Sequence, residues 1–231
     1  SEGGLWNKIA LSDFDGDGNM DIIAGNFGTN SQLRSSVTEP VELTYKDFDN
    51  NGTIDPILTY YVEGKSYPFA GRDEMVNQIG VLRKKFPDYA SYSTAAIGDI
   101  FTPGDLKGAK VLSAAELRTV FYKNTGSKFE KHILPREAQF APVCAIEIFD
   151  YNRDGNLDFV LGGNQSANCV KIGVIDANYG QLFEGDGKGN FKYISQSVSG
   201  LSLTGDVKSL KFLTIRGRRY LLAGINNYGV V

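Results

Sequence analysis

Histidine and cysteine are nearly missing from this sequence. His132 is the one histidine among 231 residues, and Cys144 and Cys169 are the two cysteines. A single histidine excludes a metal centre built from several histidines, and its alternating strand predicts a surface position. Two cysteines are too few for a disulfide scaffold or a zinc ribbon. They could form one bridge, which the sequence does not decide.

Long apolar runs and blocks of positive charge are missing as well. No run approaches the roughly 20 apolar residues of a membrane-spanning helix, so we expect no membrane insertion. The net charge is −3 without a cluster of basic residues, which argues against a nucleic-acid partner. The chain begins with Ser1 and shows no signal peptide, so we expect it to be a piece of a longer protein.

An internal repeat is the most informative feature of the sequence. Residues 9–26, 42–58 and 145–164 each contain an apolar strand, a nine-residue acidic loop and a second apolar strand. Residues 209–227 keep the two strands but replace the acidic loop with Arg216-Gly217-Arg218. Because the two strands persist where the acidic loop is lost, we interpret the repeat primarily as a structural unit and only secondarily as a ligand-binding one.

The three acidic loops, called loops one, two and three, have the spacing of a calcium site. Carboxylates or amides stand at alternate positions, glycine at position 6, an apolar residue at position 8 and aspartate at position 9. Ca²⁺ takes about 6–8 oxygen ligands, which alternate residues of a tight loop can supply. The apolar residue is expected to anchor the loop to the core. We predict up to three Ca²⁺ ions, held by Asp13, Asp15, Asp17, Asn19 and Asp21; Asp47, Asp49, Asn51, Thr53 and Asp55; and Asp150, Asn152, Asp154, Asn156 and Asp158.

Two alternatives to this calcium loop stay open at the level of sequence. An EF-hand shares positions 1, 3, 5 and 6 but needs a glutamate at position 12, where this chain has Ala24, Leu58 and Leu161, and it needs flanking helices. The other alternative is a set of Asx-rich turns that hold no metal. Three matched copies favour the metal.

Residues 64–122 have a different pattern. Met75, Ile79, Leu82 and Phe86 recur at helical spacing, and Ser113-Ala-Ala-Glu116 predicts the start of a second helix. We predict a mainly helical insertion over 64–122, with repeats one and two in 1–63 and repeats three and four in 123–231.

The loops also carry a resemblance to a known family. Asp-x-Asp-x-Asp-Gly-x-x-Asp between two strands, followed by Gly25-Asn26 or Gly163-Asn164, resembles the FG-GAP or VCBS repeat of β-propellers like the N-terminal domain of integrin α. The segment from Phe129 to Phe191 is similar to bacterial secreted proteins related to cartilage acidic protein. The resemblance implies an all-β propeller, with a calcium ion in each intact loop, in a secreted, cell-surface or periplasmic protein. Four repeat units predict a partial or open arc.

Three functions are compatible with these features, one of which is a purely structural spacer within a longer chain. The first is a non-catalytic, calcium-binding module that mediates binding or scaffolding through an unknown protein or glycan ligand. The alternative is a carbohydrate-active enzyme, a polysaccharide lyase or glycoside hydrolase, on a calcium-stabilised propeller. Its candidate acids lie in the insertion: Asp73, Glu74, Asp99 and Asp105. Their spacing identifies no mechanism, so we predict no catalytic residue.

Overall fold

The structure is a computed structural model that describes residues 2–231. The chain is mainly β, with 38% of residues in strands and 13% in helices. The strands are β1 Lys8–Ser12, β2 Asp21–Gly25, β3 Val41–Lys46, β4 Asp55–Val62, β5 Lys65–Pro68, β6 Lys110–Ala114, β7 Val120–Asn124, β8 Phe129–Ile133, β9 Val143–Phe149, β10 Asp158–Gly163, β11 Gln181–Gly185, β12 Phe191–Ile194, β13 Val207–Ile215, β14 Arg218–Ile225 and β15 Gly229–Val230.

The helices are short. They are α1 Arg72–Gln78, α2 Leu82–Lys85, α3 Tyr89–Tyr92, α4 Ile97–Ile100, α5 Pro103–Leu106 and α6 Gln196–Ser199, with a 3-10 turn at Arg136–Gln139. Within residues 2–231, no helix combines the length and hydropathy that a membrane span requires.

The strands form four antiparallel sheets. Sheet A has the order β1-β2-β7-β8, sheet B the order β5-β4-β3-β6, sheet C the order β12-β11-β10-β9 and sheet D the order β13-β14-β15. None of these sheets, as described over residues 2–231, closes on itself. Sheet C is a simple meander, whereas sheet A is made from two strand pairs that are far apart in sequence.

The contacts divide the chain into two compact units. Unit 1 contains Leu33–Glu116 together with the N-terminal residues up to Gly4, and unit 2 contains Leu5–Gln32 and Leu117–Val231. The sequence-based boundaries at 63 and 122 differ from this division. The second acidic loop lies in unit 1, inside the segment that separates β2 from β7.

Unit 1 combines sheet B with helices α1 to α5. Met75, Ile79, Leu82 and Phe86 are all buried in its core, as their spacing predicts. Met75 lies on α1 and Leu82 on α2, whereas Ile79 and Phe86 directly follow the ends of these helices. The single helix that the spacing suggests is interrupted between Gln78 and Leu82.

The helix predicted from Ser113 onwards is wrong, since residues 110–114 and 120–124 are strands. β6 pairs with β3, and β7 pairs with β2. Sheet pairing overrides the local capping signal here, because Val120 and Phe121 bury their side chains in a β ladder.

Unit 2 is a stack of sheets A, C and D. A cluster of aromatic rings joins sheets A and C: Phe121 lies 5.1 Å from Phe191, and Phe159 lies 5.0 Å from Phe191, between ring centroids. A second cluster, which includes Ala145, Val160 and Leu210, joins sheets C and D. Each sheet therefore buries one face against the next sheet of the stack.

The other strand signals in unit 2 have mixed outcomes. The alternation of apolar and polar residues at 128–133 and 190–194 predicts strands, and both form; the glycine-rich residues 185–190 predict a turn, which joins β11 to β12. The alternation at Lys171–Ile175 also predicts a strand, but this prediction is wrong, because only Ile175 makes an isolated bridge, with Gln165. The degenerate fourth repeat forms a hairpin whose turn residues, Arg216 and Gly217, have φ of 50° and 77°.

Close approach between neighbouring sheets depends on glycine at the end of the second strand of a repeat. A Cβ on Gly25 would lie 2.7 Å from Cγ1 of Val143, the first residue of β9. At the next junction, a Cβ on Gly162 would lie 2.7 Å from Cγ1 of Val207, the first residue of β13. The glycine four residues after the position-9 aspartate therefore has a packing reason: it admits the first strand of the following sheet.

We predict that Gly25→Ala lowers the free energy of unfolding by about 1–3 kcal/mol, because the added methyl overpacks the junction between sheets A and C. Urea denaturation followed by circular dichroism measures this change. Gly98→Ala is the matched control, because nothing lies within 4 Å of its Cβ position and it sits in helix α4. An equal loss in both variants would contradict the proposed packing role.

Candidate metal sites

All three acidic loops connect two antiparallel strands in the same register. The residue before position 1 pairs with the aspartate at position 9 in each loop, as Ser12 with Asp21, Lys46 with Asp55 and Phe149 with Asp158. Strands, not helices, flank the loops, so the structure excludes an EF-hand. The repeat detected in the sequence is therefore a repeat of local structure.

The aspartate at position 1 organises the turn. One of its oxygens accepts a hydrogen bond from the backbone N–H at position 6, at 2.9 Å from Gly18, 2.8 Å from Gly52 and 3.1 Å from Gly155. These three glycines have φ of 87°, 86° and 88°. Glycine is needed at position 6 because the left-handed backbone strains any residue with a Cβ, although there is open space around it.

The aspartate at position 9 ties the loop to its sheet. Asp21, Asp55 and Asp158 are at most 1% exposed. Each accepts a hydrogen bond from the backbone N–H at position 2. In loop one the other oxygen accepts from Asn124 on β7, at 2.7 Å, and in loop three it accepts from Gly185 on β11, at 2.8 Å. This aspartate therefore has a structural role that does not depend on a metal.

The predicted anchoring role of the apolar residue at position 8 is wrong for loops one and two. Met20 and Ile54 are 52% and 57% exposed, and only Leu157 packs against a core. Position 8 precedes a buried aspartate, and neighbouring strand residues point to opposite faces. In loops one and two position 2 makes the core contact instead: Phe14 is buried, and Phe48 lies 4.4 Å from Phe101 between ring centroids.

Loops one and two each bring three carboxylates together. Asp13, Asp15 and Asp21 offer one oxygen each within 4.8 Å of one another, and Asp47, Asp49 and Asp55 do the same. The donors are all hard oxygen atoms, the type that Ca²⁺ prefers. Position 5 lies further out, since Asp17 and Asn51 are exposed and bind the backbone N–H at position 7 through one oxygen each.

Each of these two triads shows a demand for positive charge, which is unmet in loop two and met by a lysine in loop one. In loop two, Oδ1 of Asp49 is buried and has no hydrogen-bond partner within the described part of the chain. In loop one, the ammonium group of Lys123 lies 2.5 Å from Oδ2 of Asp15 and acts as a stand-in cation. The hydrogen bond from Lys123 lowers the pKa of Asp15, and the same contact raises the pKa of Lys123. The donors of loops one and two therefore fit a hard cation.

Loop three has the same backbone but different chemistry at position 3. Asn152 replaces aspartate, and its Nδ2 donates to Asp154, at 3.0 Å, and to Glu184 on β11, at 2.8 Å. Burial raises the pKa of Asp158, opposed by hydrogen bonds from backbone N–H groups. Over residues 2–231, acidic, histidine and cysteine side chains form no third triad of the kind seen in loops one and two. Loop three fits a cation less well.

Lys123 and Glu184 are neighbours of loops one and three that the sequence does not reveal. Both lie on the third strand of their sheet, one residue before the backbone N–H that binds the position-9 aspartate. Lys123 is 108 residues from Asp15 in sequence, because unit 1 intervenes. No local pattern could have revealed this contact.

The acids considered for a catalytic role have structural partners near the starts of the helices. Glu74, Asp99 and Asp105 accept hydrogen bonds from the backbone N–H three residues earlier. Asp73 pairs with Arg72 and accepts from the hydroxyl of Tyr89. These residues cap α1, α4 and α5 or form surface pairs.

His132 is exposed on β8, as predicted. Cys144 and Cys169 are both free thiols.

No protein-family model matches this chain, and no curated protein matches it either. The resemblance to FG-GAP and VCBS repeats therefore rests on the residues of the loops themselves.

We predict that Asp21→Ala destabilises the protein by about 2–4 kcal/mol even in excess EDTA, because two backbone N–H groups lose their acceptor. Asp17→Ala is the control, since Asp17 belongs to the same loop but is exposed. Chemical denaturation in EDTA compares the two variants. The structural role of position 9 would be contradicted if both variants unfolded at the same denaturant concentration as the wild type.

Proposed function

We propose that this chain is a calcium-binding, non-catalytic module of a secreted or surface protein, and that it mediates binding or scaffolding. Loops one and two are its principal sites, and loop three is a third, weaker site. The observation that carries this proposal is the buried Oδ1 of Asp49, which lies in a carboxylate triad without a hydrogen-bond partner within residues 2–231. A bound cation would satisfy it.

Electrostatics supports a cation rather than empty turns. Two like charges about 4 Å apart repel by about 1–4 kcal/mol, depending on the local dielectric. Loop two holds three aspartates, and the nearby Lys46 donates to the backbone carbonyls of Asp105 and Lys107. Its ammonium is therefore already hydrogen-bonded at the end of α5. A divalent ion would remove the repulsion that these carboxylates impose on the folded state.

The stacked sheets support propeller-type blades. Sheets A, C and D repeat one plan, in which the first strands of neighbouring sheets pack together and a glycine of the second strand contacts the first strand of the next sheet. Sheet C also has the four consecutive strands of a blade. The proposed architecture is an FG-GAP or VCBS propeller segment with a second unit inserted between β2 and β7.

The proposed location follows from the chemistry of the sites. Extracellular modules bind calcium at roughly 10⁻⁴–10⁻³ M and are saturated only where calcium is abundant. Turn-forming loops with three or four carboxylates and few buried ligands suit that range. We therefore place the module outside the cytoplasm, where its partner would be a protein or a glycan.

We expect calcium to raise the melting temperature of the wild type, because an ion that binds only the folded state adds about 2.7 kcal/mol at one hundred times its Kd. Asp49→Asn should remove most of the contribution of loop two while leaving the melting temperature in EDTA nearly unchanged. Differential scanning calorimetry with and without calcium measures both quantities.

Asp55→Ala is the matched comparison, since it removes the buried aspartate of the same loop and should lower the melting temperature in EDTA as well. The proposed function is wrong if the wild type has the same melting temperature in EDTA and in 10 mM calcium (about ten times the weakest Kd expected).

A further inference from the structure

One position on the third strand of sheets A and C faces an acidic loop and carries opposite charges in the two sheets. It is Lys123 on β7 and Glu184 on β11. The two residues are equivalent, because the next residue in each strand donates its backbone N–H to the position-9 aspartate: Asn124 to Asp21 and Gly185 to Asp158. The same fixed hydrogen bond therefore places each side chain beside its loop.

Both side chains contact position 3 of the loop. Nζ of Lys123 lies 2.5 Å from Asp15, and the side chain of Asp15 is only 6% exposed. Oε1 of Glu184 accepts from Nδ2 of Asn152 at 2.8 Å. Lysine thus faces an aspartate, and glutamate faces an asparagine. The third strand therefore supplies a positive charge where position 3 is a carboxylate and a negative charge where position 3 is a neutral amide.

We propose that this position sets the cation affinity of the neighbouring loop: Lys123 competes with calcium for loop one, and Glu184 adds a carboxylate that strengthens loop three. The inference rests on the proposed calcium function and names residues outside the loops that regulate it. Loop one contains four aspartates and loop three contains three. Lys123 lowers the larger negative charge by one, and Glu184 raises the smaller by one.

The ammonium also satisfies the nearly buried carboxylate of loop one. Asp15 is nearly buried, yet both its oxygens have partners, since Oδ1 accepts from the backbone N–H of Asp17 at 3.3 Å. The equivalent Asp49 of loop two has one oxygen with no partner in the described part of the chain. Calcium entering loop one must displace an ammonium group, whereas calcium entering loop two displaces no such group. Loop two is therefore expected to fill at lower calcium concentration than loop one.

The position-6 glycines provide a separate signal for each loop. The N–H groups of Gly18, Gly52 and Gly155 bind the position-1 carboxylate of loops one, two and three. In protein labelled with ¹⁵N-glycine, their amide resonances report calcium binding at each loop independently. A calcium titration followed by NMR thus gives three apparent Kd values from one sample.

The test compares charge-neutral variants at the two positions. Lys123→Met should lower the apparent Kd read from Gly18 by about three- to tenfold, since one charge at a partly exposed site is worth about 1 kcal/mol. Glu184→Gln should raise the apparent Kd read from Gly155 by a similar factor. Gly52 should not change in either variant, and Lys123→Arg should behave as the wild type.

The possible outcomes separate this inference from the proposed function. If no glycine resonance shifts in the wild type at 10 mM calcium (about ten times the weakest Kd expected), the calcium function itself fails. If the resonances shift but Lys123→Met and Glu184→Gln leave the three Kd values unchanged, calcium binding stands and the tuning position is overturned. If Lys123→Met does not fold, Glu184→Gln decides the question, with Gly18 as its internal control.

Discussion

The hydrogen bonds of the buried aspartate at position 9 hold each acidic loop in place. Asp21 and Asp158 each accept one N–H from within the loop and one from the third strand of the same sheet. A buried carboxylate is stable only when its oxygens are hydrogen-bonded, so the folded sheet and the closed loop require one another. These hydrogen bonds fix the positions of the carboxylate oxygens in a highly charged turn.

With the backbone fixed, the charges on the loop decide what it binds. The carboxylates at positions 1, 3 and 9 converge in loops one and two. The two triads differ in how the repulsion among these carboxylates is relieved. In loop one an ammonium from β7 contacts the triad, and in loop two one carboxylate oxygen has no hydrogen-bond partner among residues 2–231. Loop three has the amide of Asn152 in place of one carboxylate, and Glu184 on β11 brings a further carboxylate beside it. One backbone design thus gives three proposed cation sites of different expected affinity.

The loops and their flanking strands could be predicted because their signals are local. Glycine at position 6, the alternating acids and the apolar flanks all act within one strand–turn–strand unit, and the structure keeps them in one register. The composition of sheet A could not be predicted, since β7 reaches β2 only after the whole of unit 1 has intervened. The helix expected at Ser113 failed for the same reason: pairing with distant strands overrides a capping motif of four residues.

The acidic clusters could be predicted only in part: positions 1, 3 and 9 come together in loops one and two as expected, whereas loop three forms no such triad within residues 2–231. The surroundings of the loops could not be predicted. The sequence identifies the aspartates, yet it assigns the anchoring role to position 8 instead of the aromatic residue at position 2. It also contains no sign that Lys123 and Glu184 occupy equivalent places, because that equivalence exists only once the third strand is aligned with the loop.

A crystal structure grown in millimolar calcium, with anomalous scattering data, tests the central claim most directly. The account predicts an anomalous peak in loops one and two, within about 2.3–2.6 Å of oxygens from Asp13 and Asp15 and from Asp47 and Asp49. Strands on both sides of each peak and an ordered ion in loop two would support it. Density for water alone in loop two, with Asp49 hydrogen-bonded to that water, would contradict it.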